Sequence, residues 1–266
     1  MLPDVQALPD QRGIALDEVG IEGLRYPLLI VDGQGAKRET VATIGMSVSL
    51  DADVKGAHLS RFVEVLHAWR DEVAPDSALR LVEDLRMRMG SSSARVHLTF
   101  AYFLERQAPV TGARSFSEYQ CALVASVGTV NPVLTLQARV PVTSVCPCSK
   151  AISDRGAHNQ RGYITIEVQP VNPGELWFDD LIDVAEASAS SPVYALLKRS
   201  DERHVTMFGY DNPVFVEDMA RQVVVALRDD PRVSRFRVRV VNDESIHNHA
   251  AFAQREWTDS ATGGDA

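Results

Sequence analysis

Cysteine is rare in this sequence, with three residues among 266. An odd number leaves one thiol unpaired, and small disulfide-stabilised domains need a denser set. The class of disulfide-rich secreted proteins is therefore excluded. Two of the three, Cys146 and Cys148, lie in the motif CPC, where metal binding or catalysis is the better use for them.

Long apolar runs are also missing. No run approaches the roughly 18 residues that a membrane-spanning helix needs. The first residues, MLPDVQALPDQRG, lack the basic and apolar segments of a signal peptide. We therefore expect a cytoplasmic protein with no membrane partner. With 45% hydrophobic and 24% charged residues, the chain can bury the core of one large domain or two modest ones.

Positive charge is in short supply, because 27 Lys and Arg stand against 36 Asp and Glu, a net charge of −9. Nucleic acids and anionic membranes are bound by excess Lys and Arg, so neither is an expected partner. The chain also lacks the GxGxxG and Walker-type glycine loops that cradle phosphates. A polyanionic nucleotide would have to be bound by side chains in a local basic pocket.

Hydrophobic periodicity predicts the same order of elements in both halves of the chain. The first half contains predicted strands at 40–50, 96–104 and 119–130 and predicted helices at 58–70 and 81–89. The second half contains predicted strands at 134–142, 164–168 and from 236 onward, and predicted helices at about 179–190 and 214–228. The predicted unit is strand, strand, helix, helix, strand, strand, occurring twice. This order favours an α+β fold with antiparallel sheets and helices on one face.

The domain organisation follows from this repeat. We predict a first unit at 21–131 and a second unit at 132–255 that carries the CPC motif. Residues 1–20 and 256–266 are predicted tails. Residues 106–118 are predicted to form a loop.

The run SVCPCSKAISDRGAHNQRGY, residues 144–163, concentrates soft metal ligands and cations. A thiolate and an imidazole, here from Cys146 and His158, suit Zn²⁺ or a neighbouring first-row metal, and a carboxylate as third ligand would leave room for water. The residues around the cysteines are too polar for a core and indicate an open cleft. They are Ser149, Lys150, Ser153, Asp154, Arg155, Asn159, Gln160 and Arg161.

The CPC motif has three other possible interpretations. Free cysteines are often buried as ordinary packing residues. A structural zinc knuckle would need a second CxxC or HxxxH, and a redox pair would need the two-residue spacer of CxxC. Because Pro147 disfavours the helical region for the preceding residue, we expect an extended run with both sulfurs on one side.

The blocks VTSVCPCSKAIS, GAHNQR, MSVSLDADVKGAHLSRFVEVL, KRSDERHVTMFGYDNPVFVEDMAR and ESIHNHAAFA closely resemble the type IB GTP cyclohydrolase I family. The resemblance is collinear over nearly the whole chain. It implies two tunnelling folds in one chain, a homotetramer with sites at subunit interfaces, and conversion of GTP to 7,8-dihydroneopterin triphosphate and formate. It also implies one divalent metal per site, Zn, Mn or Fe, and neither NAD(P) nor flavin.

The resemblance also suggests roles for individual residues. Glu202 would complete a metal site with Cys146 and His158. Cys148 would be either a further ligand or an acid close to the reacting carbon, and the sequence leaves both open. His247, in SIHNHA, is the candidate for proton transfer, because histidine exchanges protons at neutral pH.

Substrate recognition needs an acid for guanine and cations for the triphosphate. Glu217 is the candidate acid, since a carboxylate accepts from N1–H and the 2-amino group together. The candidate cations near the CPC motif are Lys150, Arg161 and Arg199. A second group, Lys55, His58 and Arg61, lies at the start of a predicted helix and could serve a neighbouring subunit's pocket.

Other functional classes remain open at this point. The chain could be a tunnelling-fold nitrile reductase or another purine or pterin enzyme, or a metal-binding scaffold without activity. One branch of the family stops at a cyclic phosphate product. Release of formate without NADPH separates the hydrolase from the reductase.

Overall fold

The computed structural model describes residue 6, residues 8–128 and residues 131–259. Within these ranges the chain forms nine strands and six helices. The strands are β1 (Leu16–Val31), β2 (Lys37–Leu50), β3 (Ala94–Gln107), β4 (Arg114–Val127), β5 (Val133–Val145), β6 (Asn159–Pro170), β7 (Ser191–Pro192), β8 (Val233–Asp243) and β9 (Ala250–Thr258). The helices are α1 (Leu59–Trp69), α2 (Pro75–Met89), α3 (Pro147–Ile152), α4 (Phe178–Ala187), α5 (Arg199–Asp211) and α6 (Val216–Arg228).

The strands hydrogen-bond in the order β1-β2-β3-β4-β5-β6-β8-β9, and β7 pairs with β5. The pairs β1–β2, β2–β3, β5–β7, β6–β8 and β8–β9 are antiparallel. The predicted α+β class with antiparallel strands is therefore confirmed.

The described residues fall into two compact units that interleave along the chain. The first unit comprises the described residues within Met1–Ala101, Ala122–Leu136 and Pro173–Leu176. The second unit comprises the described residues within Tyr102–Cys121, Gln137–Asn172 and Trp177–Ala266. The predicted boundary between 131 and 132 stays a prediction. Residues 129 and 130, the end of a predicted strand, lie outside the described residues, as do parts of both predicted tails.

The first unit is built on the β1–β2 pair, against which α1 and α2 pack. Alternate residues of β2 are buried, as the period of two predicted, while the helices bury one apolar stripe each. The helix residues in this core are Phe62, Val65, Leu66, Leu81, Val82 and Leu85. The strand predicted at 40–50 and the two predicted helices are confirmed.

The second unit contains the antiparallel β6–β8–β9 sheet, and α4 and α6 pack on it. The even-numbered positions from Ile164 to Val168 and from Phe236 to Val240 are buried. Arg235 and Arg237, at odd-numbered positions, lie on the other face. Arg235 Nη2 is 4.0 Å from Glu256 Oε2, and Arg237 Nε is 3.5 Å from Glu256 Oε1. Those arginines therefore form the solvated face of β8.

Three segments predicted to be irregular are partly strands, whereas residues 108–113 form a loop as predicted. β1 begins inside the predicted tail 1–20, β4 begins inside the predicted loop 106–118, and β9 runs into the predicted tail 256–266. β1 and β9 are the first and last strands in the strand order. Most β1 and β9 residues that lie inside the predicted tails are exposed. Register shifts interrupt β1 between Leu16 and Val19 and between Ile21 and Leu24. Edge strands with bulges carry little hydrophobic alternation, so periodicity cannot reveal them.

Helix α5 was also missed, because it buries no apolar stripe. Its buried residues are Asp201 and Gly209. The Asp201 carboxylate accepts hydrogen bonds of 2.7–2.9 Å from Thr111 Oγ1 and from the backbone N–H groups of Val110, Thr111 and Lys198. Burial alone would raise the pKa of Asp201, but these hydrogen bonds outweigh it and hold the pKa well below its usual range. The contact stabilises the fold at neutral pH and weakens as the pH falls through that lowered pKa.

No helix in the described part of the chain is both long enough and apolar enough to cross a membrane.

Candidate functional site

The CPC motif lies where β5 ends and α3 begins. Cys146 is the residue before the helix, with extended backbone angles, and its Sγ accepts a hydrogen bond from the Ser149 backbone N–H at 3.5 Å. Pro147 is the first helical residue, a position that favours proline because no N–H is needed there. Cys148 consequently lies in the first helical turn and is exposed, while Cys146 is half-buried. The prediction of an extended run through both cysteines was therefore wrong.

His158 lies directly beside Cys146, at the start of the next strand. The Cys146 backbone N–H donates to the His158 carbonyl at 3.1 Å. Ser149 Oγ accepts from the His158 backbone N–H at 3.1 Å and donates to the Cys146 carbonyl at 3.2 Å. The backbone therefore brings together two of the three predicted metal ligands.

The imidazole of His158 is oriented by a buried amide. Its Nδ1 lies 2.9 Å from Gln160 Oε1. Gln160 Nε2 donates to Ser144 Oγ and to Glu244 Oε1, each at 3.5 Å. This leaves Nε2 as the ring nitrogen of His158 that can face a ligand.

The end of α5 and the start of α6 adjoin this segment. Lys150 Nζ donates to the Tyr210 carbonyl at 2.5 Å and lies 4.2 Å from the centre of the Tyr210 ring. A cation at a helix C-terminus is favoured by the partial negative charge of the free carbonyls. The Val214 backbone N–H donates to the Val145 carbonyl at 3.1 Å, just before α6.

Glu202, the third predicted ligand, lies in the first turn of α5 and is exposed. Eight residues separate it from Tyr210, which is about 12 Å along a helix. Within the described ranges, no group of three or more His, Cys, Asp or Glu side chains could hold a metal ion. The structure thus does not gather Cys146, His158 and Glu202 into one group, and the role of Glu202 stays a prediction.

Glu217 and Asp218 occupy the first turn of α6 but differ in their contacts. Asp218 Oδ2 accepts from the Phe215 backbone N–H at 3.2 Å, and Asp218 Oδ1 lies 3.0 Å from Arg221 Nη1. Asp218 is therefore the capping acid of this helix. Glu217 is exposed on the same turn, next to the cap.

The remaining candidates are exposed or belong to the first unit. Arg161 in β6 and Arg199 at the start of α5 are exposed. The exposed His247 ring stacks on that of His249, with centroids 5.1 Å apart. In the first unit, Lys55 is exposed, His58 is the residue before α1, and Arg61 Nη1 lies 3.4 Å from the Arg88 carbonyl. The roles suggested for all of these residues stay predictions.

Comparison with known proteins identifies the family of the chain. Residues 2–253 match the family model described as type I GTP cyclohydrolase folE2. Curated relatives include GTP cyclohydrolase FolE2 1 of Dechloromonas aromatica, 46% identical over 254 residues and covering 95% of both chains. Another is GTP cyclohydrolase FolE2 of Nitrosococcus oceani, 44% identical over 255 residues, or 96% of this chain and 95% of that one.

The chain belongs to the FolE2 family. The predicted family is thereby confirmed, and the relatives match it over almost their whole length.

Solved structures with the same fold include a uricase from Arthrobacter globiformis and a urate oxidase from Bacillus sp. TB-90. The first has a TM-score of 0.53 at 10% identity and covers 94% of this chain and 96% of its own. The second also has a TM-score of 0.53 at 10% identity and covers 92% of this chain and 100% of its own. This likeness confirms the predicted tunnelling fold of this FolE2 family member and nothing about its chemistry.

Sequence reasoning missed a buried polar layer beneath the cysteine and histidine of this FolE2 chain. Ser144, Gln160 and Asn242 are 1%, 6% and 1% exposed. Each continues, at even-numbered positions, the run of buried apolar residues in β5, β6 or β8. The prediction that Gln160 is too polar for the core is wrong. The signal was available, since Gln160 lies two and four positions before residues of the buried face.

Gly162 allows Asn242 to reach this layer. The two residues are directly paired between β6 and β8. A Cβ atom on Gly162 would lie 2.5 Å from Asn242 Oδ1, closer than any real contact. Asn242 Nδ2 instead donates to Ser144 Oγ at 3.1 Å, and Oδ1 has no hydrogen-bond partner within the described residues.

Replacing Ser144 by alanine tests the energetic weight of this layer. Ser144→Ala removes the partner of Asn242 Nδ2 and of the Val214 carbonyl, so the free energy of unfolding should fall by about 1–3 kcal/mol. Ser117→Ala is the matched control, because the Ser117 hydroxyl is buried without a hydrogen-bond partner in the described residues. That change should cost less than about 0.5 kcal/mol. Urea unfolding measures both, and equal losses would contradict the role of Ser144.

Proposed function

We propose that the chain is a metal-dependent GTP cyclohydrolase that converts GTP and water to 7,8-dihydroneopterin triphosphate and formate, at the first step of folate-type cofactor synthesis. The observation that carries this proposal is the backbone-paired Cys146 and His158 in a chain of the FolE2 family. The relatives named above are called GTP cyclohydrolases, and the same activity is proposed for this chain.

Cys146 and His158 carry two donor atoms of the kinds that a divalent metal ion accepts. Cys146 offers a half-buried sulfur, and His158 offers Nε2 because its Nδ1 is engaged by Gln160. Glu202 is proposed as the third ligand from the family resemblance. Zn²⁺, Mn²⁺ and Fe²⁺ all accept thiolate, imidazole and carboxylate ligands. A bound metal ion would supply Lewis-acid activation of water for attack at C8 of the purine.

Proton transfers are assigned to side chains of the chain itself. The His247 imidazole is exposed and can take up and release protons during ring opening and closure. The Cys148 thiol is exposed in the first turn of α3, two residues from Cys146. It serves either as an acid beside the reacting carbon or as a further metal ligand.

The substrate is held at its two ends by groups of opposite charge. Glu217 would accept from N1–H and the 2-amino group of guanine, a pair of donors that adenine lacks. Arg161, Arg199 and Lys150 are proposed for the triphosphate. The second group of cations, Lys55, His58 and Arg61, is proposed to serve the site of a neighbouring subunit.

The proposed assembly follows from the family resemblance, and the proposed location follows from the composition of the chain. We propose a homotetramer with its sites at subunit interfaces. We also propose a cytoplasmic location, where GTP is available and thiols stay reduced.

Product analysis tests the proposed activity. Metal-replenished protein given GTP without NADPH should release formate and one equivalent of a pterin that fluoresces after oxidation.

Cys146→Ala and His158→Ala should lose bound metal and turnover together, because each removes a ligand. Cys121→Ala, which changes the buried third cysteine, should keep both. Failure of the wild-type protein to form formate contradicts the proposal, and a cyclic phosphate product would assign the chain to the other branch of the family.

Purine recognition is tested by two neighbouring acids. Glu217→Gln should weaken GTP binding at least about tenfold without loss of metal, because it removes one acceptor for a pair of donors. Asp218→Asn is the control, because Asp218 contacts the Phe215 backbone and Arg221. It should change GTP affinity little. Calorimetric titration with a non-hydrolysed GTP analogue gives both affinities, and equal effects would move the purine anchor elsewhere.

A further inference from the structure

The hydrogen bond between His158 and Gln160 has two possible directions. Nδ1 of a neutral imidazole either donates or accepts, and a glutamine amide can present either oxygen or nitrogen. The distance of 2.9 Å between Nδ1 and the amide fits both. The neighbours of the other end of the amide decide between them.

Ser144 is the first of these neighbours. A serine hydroxyl has one hydrogen to donate and two lone pairs to accept with. Ser144 Oγ lies 3.0 Å from the Val214 carbonyl, which can only accept, so the hydroxyl hydrogen is used there. The atoms that Gln160 and Asn242 direct at Ser144 Oγ must therefore be donors, and they lie at 3.5 and 3.1 Å.

Glu244 leads to the same result independently. Its Oε1 lies 3.5 Å from the same Gln160 atom, and an ionised carboxylate can only accept. Two acceptors thus face one end of the amide, which must be the nitrogen. The amide oxygen then faces His158 and accepts a hydrogen bond from Nδ1–H.

We propose that Gln160 is a positioning residue that holds His158 in the Nδ1–H tautomer and so presents the Nε2 lone pair to the metal ion. The proposal rests on the proposed function for the binding of a metal ion at His158. The layer is assembled from this chain's own side chains, and Gln160 is 6% exposed, so the tautomer is set before a metal ion binds. Water cannot readily replace these partners at a buried amide.

Loss of the Gln160 oxygen should weaken metal binding at His158. Without the Gln160 oxygen, part of the His158 population carries its proton on Nε2, and that proton must be moved before the nitrogen can ligate. Loss of such a supporting hydrogen bond typically lowers metal affinity about 10- to 100-fold. Asn242 shares the Ser144 hydroxyl but, within the described residues, makes no hydrogen bond to His158, so it provides a matched control.

The first test reads the tautomer directly in the metal-free wild-type protein. Nitrogen NMR of ¹⁵N-histidine-labelled protein at about pH 8.5, where a typical imidazole is neutral, should show His158 protonated at Nδ1. The His158→Ala spectrum assigns the signal. A wild-type His158 protonated at Nε2 overturns the proposal. This measurement needs no variant of Gln160, so it decides the question even if such a variant fails to fold.

The second test measures Zn²⁺ affinity by competition with a chelator. Gln160→Leu should weaken Zn²⁺ binding about 10- to 100-fold, whereas Asn242→Ala should stay within about threefold of wild type. Equal losses in the two variants would show that Gln160 acts only through the stability of the layer, and would overturn the proposal. Neither test depends on turnover, so wild-type protein that binds Zn²⁺ as expected but releases no formate would contradict the proposed function alone.

Discussion

The hydroxyl of Ser144 makes three hydrogen bonds, which use its single donor and both of its lone pairs. These bonds join the ends of β5, β6 and β8 to Val214, the residue two positions before α6. Because each partner is buried, no water competes for them, and a change in any one leaves another group unsatisfied. The orientation of Gln160, and through it that of His158, follows from this one constraint. The buried polar layer thus orients the His158 side chain, which is proposed to bind the metal ion.

Charge is distributed locally rather than over the whole chain. The net charge of −9 gives no general attraction for a triphosphate, so the proposed binding of GTP would depend on a few local cations. Lys150 is already engaged with the Tyr210 carbonyl and ring, and this contact fastens α3 to the end of α5. Arg161 and Arg199 are exposed, which their proposed role in binding the triphosphate requires. Lys150 therefore has a structural contact in addition to its proposed role in binding.

An element could be predicted from the sequence where its burial produces a regular hydrophobic pattern among neighbouring residues. Strands such as β2 and helices such as α6 bury a regular apolar face, so their period revealed them. β9 and α5 do not, because β9 is mostly exposed and α5 is anchored by the carboxylate of Asp201. At the site, the family motifs pointed to Cys146 and His158, which the backbone pairs. The role of Gln160 depends on Ser144 and Glu244, which are 16 and 84 residues away, and no local pattern reports such contacts.

Cys146 and His158, supported by the polar layer, are proposed to hold the metal ion of a GTP cyclohydrolase. Anomalous diffraction at the zinc edge from crystals of the Zn²⁺-loaded protein tests this proposal most directly. We expect one strong peak about 2.3 Å from Cys146 Sγ and about 2.0–2.1 Å from His158 Nε2, with Nδ1 still hydrogen-bonded to Gln160. A peak bound through Nδ1, or one at a site without Cys146 and His158, would show that these residues do not hold the metal ion as proposed.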